Sequence, residues 1–177
     1  MLFSDQNRRG LVSVFERCAR ASLLRSQDDL FEISSAPAAS AAGGSLLIIT
    51  TSSFAFRLLT IFHVDDNEAN RGYFVPAGSG LSLQDSFAEV ANLCCGALNR
   101  EIAPCFPHLA MSIPCRLSAR CLEHLPQLNP DYTAGFKINI NSAASIGVTL
   151  CMCCTAAVEI PMTLTAVQQS SGELEMF

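Results

Sequence analysis

The chain has 177 residues, half of them hydrophobic and 15% charged, with a formal net charge of −5 and one lysine, Lys137. That length can bury a real core, and the acidic balance speaks against nucleic-acid binding. No apolar run reaches the ~18–20 residues of a membrane span, and the first residues, with Asp5, Arg8 and Arg9, lack a signal-peptide core. A cytoplasmic location without membrane contact is therefore expected.

Leu11, Val14, Phe15 and Cys18 repeat at helical spacing and predict an amphipathic helix over residues 7–25. Arg8, Arg9, Arg17, Arg20 and Arg25 form its solvated face rather than a phosphate-binding patch. Residues 29–35 read as a short strand anchored by Leu30 and Ile33, and residues 36–44 as a Pro/Gly/Ser loop. Residues 45–52 and 54–64, rich in Ile, Leu, Phe and Thr, predict an antiparallel hairpin turning near Ser52-Ser53. Asp65-Asp66-Asn67-Glu68 then reads as a solvated polar loop. As a calcium loop it fails, because Ala69 breaks the alternation of oxygen ligands and no closing Glu follows.

The most informative stretch is residues 83–102. Leu83, Phe87, Val90, Ala91, Cys94 and Leu98 make an apolar side. Asp85, Glu89, Asn92, Gly96 and Asn99 recur at steps of four, three, four and three and lie within roughly 40° of one line on the opposite side. Ser82 and Asp85 form a capping-box-like start after the loop 76–80, and Pro104 ends the helix. An outward line of acid and amide with almost no cations is unusual, since solubilising faces mix signs. Gly96 in its middle costs a helix about 1 kcal/mol relative to Ala and leaves a bare spot where another molecule can approach.

Beyond this helix, residues 108–117 predict a strand, 118–125 a short helix and 126–132 a Pro-containing loop. Residues 135–140 and 145–158 predict a second hairpin across Asn141-Ser142-Ala143, its second strand buried on both faces. A last strand is expected at 162–167, and a polar tail from about 168. The expected fold is α+β, a single domain with a largely antiparallel sheet and two long helices packed on one face. Apolar excess and a strand edge needing cover point to a homodimer.

Nine cysteines are many for a cytoplasmic chain. Cys151-x-x-Cys154 has redox or metal spacing, but strand residues three apart point to opposite faces, so these thiols are read as small buried hydrophobes. Cys105 and His108 are close in sequence, yet nothing marks Cys105 as an activated nucleophile. Phosphate-binding, nucleophile-elbow, zinc-protease and dinucleotide motifs are absent.

Asp85-x-x-x-Glu89-x-x-Asn92, followed by Gly96, Asn99 and Pro114, resembles the CheC/CheX family of chemotaxis phosphatases. The resemblance covers residues 85–117, and the interval from Asn92 to Pro114 is one residue shorter than the family pattern. It implies hydrolysis of the aspartyl phosphate of a phosphorylated CheY-like response regulator. Asn92 would orient the attacking water and Glu89 would pair with the regulator's active-site lysine. Asp85, Gly96, Asn99 and Pro114 would belong to the docking surface. No cofactor would be bound by this chain, and Mg2+ would be supplied by the regulator. The alternative is a regulator-binding or sensory domain of the same fold without catalysis.

Overall fold

A computed structural model describes residues 2–37, 45–106 and 108–160. The expected strand at 162–167 and the polar tail lie outside the described residues, as do residues 38–44 of the expected loop.

Among the described residues, seven strands form one sheet: β1 (Phe31–Ala36), β2 (Ser45–Ser52), β3 (Phe56–His63), β4 (Ala110–Met111), β5 (Cys115–Ser118), β6 (Tyr132–Ile140) and β7 (Ala144–Cys154). Their order is β1-β6-β7-β3-β2-β4, with β5 also on β2, and every pairing is antiparallel. Two long helices, α1 (Asp5–Leu23) and α3 (Leu83–Ile102), pack against each other and share one core with the sheet. A shorter helix, α2 (Glu68–Phe74), joins them. The α+β layout with two long helices on one face is thus the observed fold.

The helices form where caps and apolar spacing agree. Ser4 caps α1 by accepting from the Asn7 amide at 3.3 Å. Leu11, Val14, Phe15 and Cys18 are buried as the spacing predicts, and Phe15 stacks on Phe136 of β6 with ring centroids 5.8 Å apart. On the sheet's other face, Leu46, Ile48 and Ile61 form a second, smaller apolar cluster. A 3-10 helix over Ala119–Leu128 covers it with Ala119, Leu122 and Leu125.

Five expectations need correction. Leu30 does not anchor the first strand: it is exposed just ahead of β1, and Phe31 is the buried residue there. Residues 65–68 are not simply a loop: Asn67 accepts from the Asn70 amide at 2.9 Å and starts α2, while Asp66 pairs with Arg71. The strand expected over 108–117 is broken at Ser112–Pro114, where proline cannot donate to a ladder. Leading into it, His108 takes a positive φ of 68°. The short helix after it is 3-10 and extends to Leu128, with Pro126 inside. Strand β7 stops at Cys154, because the Thr155 and Ala156 amides turn to the Ala55 carbonyl.

Strand β7 is buried on both faces through its middle, from Val148 to Met152. Cys151 stands opposite Leu59 and Cys154 opposite Phe56, so the two thiols lie on opposite faces. Burial pushes the Cys151 and Cys154 thiols up to about 11, and Cys18 and Cys95 up to about 12. These thiols stay protonated and behave as core side chains.

Candidate functional site

The site is built on α3. Gly78 and Gly80 take positive φ values of 74° and 68°, which reverse the chain ahead of the helix. Ser82 then caps it: its oxygen accepts from the Asp85 amide at 3.1 Å, and its hydroxyl donates to Asp85 Oδ2 at 2.6 Å. Phe87 anchors the inner side, edge-on to Phe62 and Phe74 at 5.8 and 5.1 Å between centroids. Leu83, Ala91, Cys94, Leu98 and Ile102 are buried on the same side. With that face fixed inward, the acid–amide line faces outward.

Glu89 is exposed and Asn92 half-buried, three residues apart on one helix face. Neither has a hydrogen-bond or ion-pair partner among the described residues. A rigid helix therefore presents one unpaired carboxylate beside one unpaired carboxamide. The carboxylate can only accept hydrogen bonds, whereas the amide both accepts and donates.

Two further members of the line, Asp85 and Gly96, are engaged within the chain. Asp85 pairs with Arg116 of β5, and the Ser82 hydroxyl followed by this guanidinium holds its carboxyl below the ordinary carboxylate range. Both members of the pair remain about half exposed, at 53% and 49%. Gly96 is not bare: Arg100 Nη1 lies 3.6 Å from where a glycine Cβ would stand. Asn99 is half-buried, and its Oδ1 is buried without a hydrogen-bond partner among the described residues. The line seemed almost free of cations in sequence, yet it carries two guanidiniums, one brought by the fold and one folded back along the helix.

Pro114 is half-buried in the break between β4 and β5. Helix α3 touches β4 as well as β2, and Asp85 fixes its first turn to Arg116. The segment 112–114 links β4 to β5 and so lies between these two points of contact with α3. It is tied to β2 by the Ser112 amide donating to the Thr50 carbonyl at 2.8 Å and the Thr50 amide donating to Ser112 Oγ at 3.0 Å. Two large apolar side chains are exposed: Ile113 at 83% in that segment, and Leu93 at 61% next to Asn92 on α3. On the helix's other flank, Arg17 and Cys18 of α1 meet Glu101.

Several solved structures resemble this chain in fold. The CheX-CheY-BeF3-Mg2+ complex from Borrelia burgdorferi contains a chain that matches 82% of this one over 96% of its own length, with a TM-score of 0.55 and 11% identity. A CheC-like superfamily protein from Shewanella sp. PV-4 matches 81% of this chain over 97% of its length, with a TM-score of 0.52 and 9% identity. The chain has the CheC/CheX fold. The chemotaxis protein CheX from Vibrio vulnificus matches 84% of this chain over 99% of its own, with a TM-score of 0.50 and 12% identity. No protein-family model and no curated protein matches the sequence, so the likeness is one of fold.

Within this CheC/CheX fold, sequence reasoning missed Arg100, Arg116, Leu93 and Ile113. Leu93 falls between the polar line and the apolar side and had no signal of its own. Arg116 reaches the site only through the β2–β5 register, Leu47 opposite Arg116. Among the described residues, no three His, Cys, Asp or Glu side chains cluster as metal ligands, and no helix is long and apolar enough to cross a membrane.

Proposed function

We propose that this protein is a cytoplasmic phosphatase acting on the aspartyl phosphate of a CheY-like response regulator, with the outer face of α3 as its working surface. The observation that carries this reading is the free Glu89–Asn92 pair on the exposed side of a well-anchored helix in a CheC/CheX fold. A buried pair, or one tied up in ion pairs, could not enter a partner's active site.

An acyl phosphate is already activated, so a partner need only hold water in line with phosphorus. The Asn92 amide is suited to that. Its oxygen accepts a hydrogen bond from the water, and its NH2 donates to a phosphoryl oxygen. The water oxygen forms a bond to phosphorus and the bond from phosphorus to the aspartyl oxygen breaks. Inorganic phosphate and a free carboxylate result, and the water's proton passes to the phosphate. Glu89 supplies a charge-assisted contact to the regulator's active-site lysine and sets the register. Mg2+ belongs to the regulator, and the Borrelia complex holds BeF3 and Mg2+ together with CheY. Leu93, Ile113 and Pro114 supply the apolar contact around the polar pair, and the Asp85–Arg116 pair and Asn99 lie on the rim.

The half-burial of Asn92 favours one second reading, docking on a regulator without hydrolysis. The two share a surface and differ in whether Asn92 reaches the water. Catalytic amounts of the protein added to phosphorylated response regulators of the same organism decide between them. Accelerated loss of phosphoryl label from one regulator supports hydrolysis. Binding to a regulator with no change in that rate supports docking alone, and no interaction with any regulator overturns both.

A further inference from the structure

Gly96 lies one turn beyond Asn92 on the exposed side of α3, and Arg100 occupies the space its missing side chain leaves. Helix side chains lean toward the N-terminus, so a long residue naturally lies over the residue four before it. With a bulky side chain at 96 the guanidinium would be pushed off the helix. With glycine it rests 3.6 Å from the Cβ position. It is thereby carried to about one turn, roughly 6 Å along the axis, from Asn92.

Arg100 is exposed and has no ion-pair partner among the described residues. The carboxylates nearest it in sequence and on the helix face are taken. Arg17 holds Glu101 at 2.6 Å, and Arg116 holds Asp85. Glu89 stands about 10 Å from Gly96 along the axis, too far to neutralise the charge. An unpaired guanidinium offers five donors in a planar fork that matches phosphoryl oxygens in bidentate fashion. The glycine also acquires a physical reason: it costs the helix stability and lets a cation lie flat on the docking face.

We propose that Arg100, seated on Gly96, is the anion-recognition residue of this face. Its guanidinium contacts the phosphoryl group of the partner's aspartyl phosphate and makes the protein prefer the phosphorylated regulator to the unphosphorylated one. The inference rests on the regulator reading above and adds what that reading lacks, a cation for the phosphoryl group supplied by this chain.

The test uses a CheY-like regulator free and loaded with beryllofluoride and Mg2+, a phosphoryl mimic that is not hydrolysed. Affinities for both forms are measured by titration calorimetry. The wild type binds the loaded form more tightly. Arg100→Ala cuts that preference by about tenfold or more, while affinity for the free regulator changes less than about twofold. Arg100→Lys keeps part of the preference, and Gly96→Leu loses it with Arg100 still present. Circular dichroism and Tm show that each variant is folded. If Arg100→Ala keeps the wild-type preference, Arg100 has no such role while the regulator reading stands. If the wild type binds neither form, the regulator reading falls and this inference with it.

Discussion

Glu89 and Asn92 differ from most polar side chains near them in having no side-chain partner among the described residues, and that contrast leaves both groups available to another molecule. Asp29 shows the opposite condition. Its carboxylate accepts from the Arg25 and Ser26 amides, both at 3.0 Å, from the Tyr73 hydroxyl at 2.7 Å and from Asn141 Nδ2 at 2.8 Å. These bonds, Asn141 first, lower its pKa from 3.8 to about 2. A carboxyl with a lower pKa folded than unfolded stabilises the fold above its unfolded value and loses that contribution as pH falls through the folded one. The Tm difference between wild type and Asp29→Ala should therefore be full at about pH 5 and shrink as pH drops from 3.8 to about 2. A difference that stays constant across that range would show that the network does not depend on the charge. At this scale the sequence was readable only in part. The helical period placed Glu89 and Asn92 outward, but Arg100 over Gly96 and Arg116 against Asp85 are settled by rotamer and register, which a period does not report.

At the scale of elements, two helix glycines have opposite roles. Gly10 of α1 is buried, and a Cβ there would run into the Ile160 backbone carbonyl. That carbonyl belongs to a segment bound to α1, the Ile160 amide donating to Asn7 Oδ1 at 3.0 Å, so neither side can easily retreat. Gly10→Ala should destabilise by about 1–3 kcal/mol through overpacking. Gly96→Ala meets only an ordinary contact with a flexible guanidinium, and should stabilise by up to about 1 kcal/mol. Urea denaturation of the two variants checks the contrast, and a shift of the same sign in both would contradict it. The long elements were legible because they carry many periods and clear ends: Ser82 opens α3, and Pro104 follows its last residue, Ile102. Helix α2 was not, since seven residues give too few repeats for an apolar face to declare itself. The break at Ser112–Pro114 was hidden because residues on both sides do pair with β2.

Across the whole molecule, the α+β class and both hairpins followed from the strand patterns, whereas the sheet order did not. Strand β1 lies beside β6, more than 90 residues on in the chain, a pairing that no local pattern encodes. It also leaves β1 with no further strand on its outer side among the described residues, while the opposite edge is made of short strands of two and four residues. An open edge of six residues invites pairing or cover. A homodimer closed over this edge is expected, with a mass by light scattering of twice 19.0 kDa, and a concentration-independent mass of 19.0 kDa would contradict it.

Whether Asn92 on α3 positions the attacking water is decided by one comparison. Turnover of a phosphorylated CheY-like regulator and affinity for its beryllofluoride form are measured for wild type, Asn92→Ala and Glu89→Ala. An amide that holds the attacking water acts in the transition state, so Asn92→Ala should abolish accelerated loss of phosphate and leave affinity nearly unchanged. Glu89→Ala should instead weaken binding by roughly 1.5–3 kcal/mol, the worth of a charge-assisted contact. Both sites are at the surface, so neither variant should unfold. An Asn92→Ala protein that dephosphorylates the regulator as fast as wild type would contradict the account.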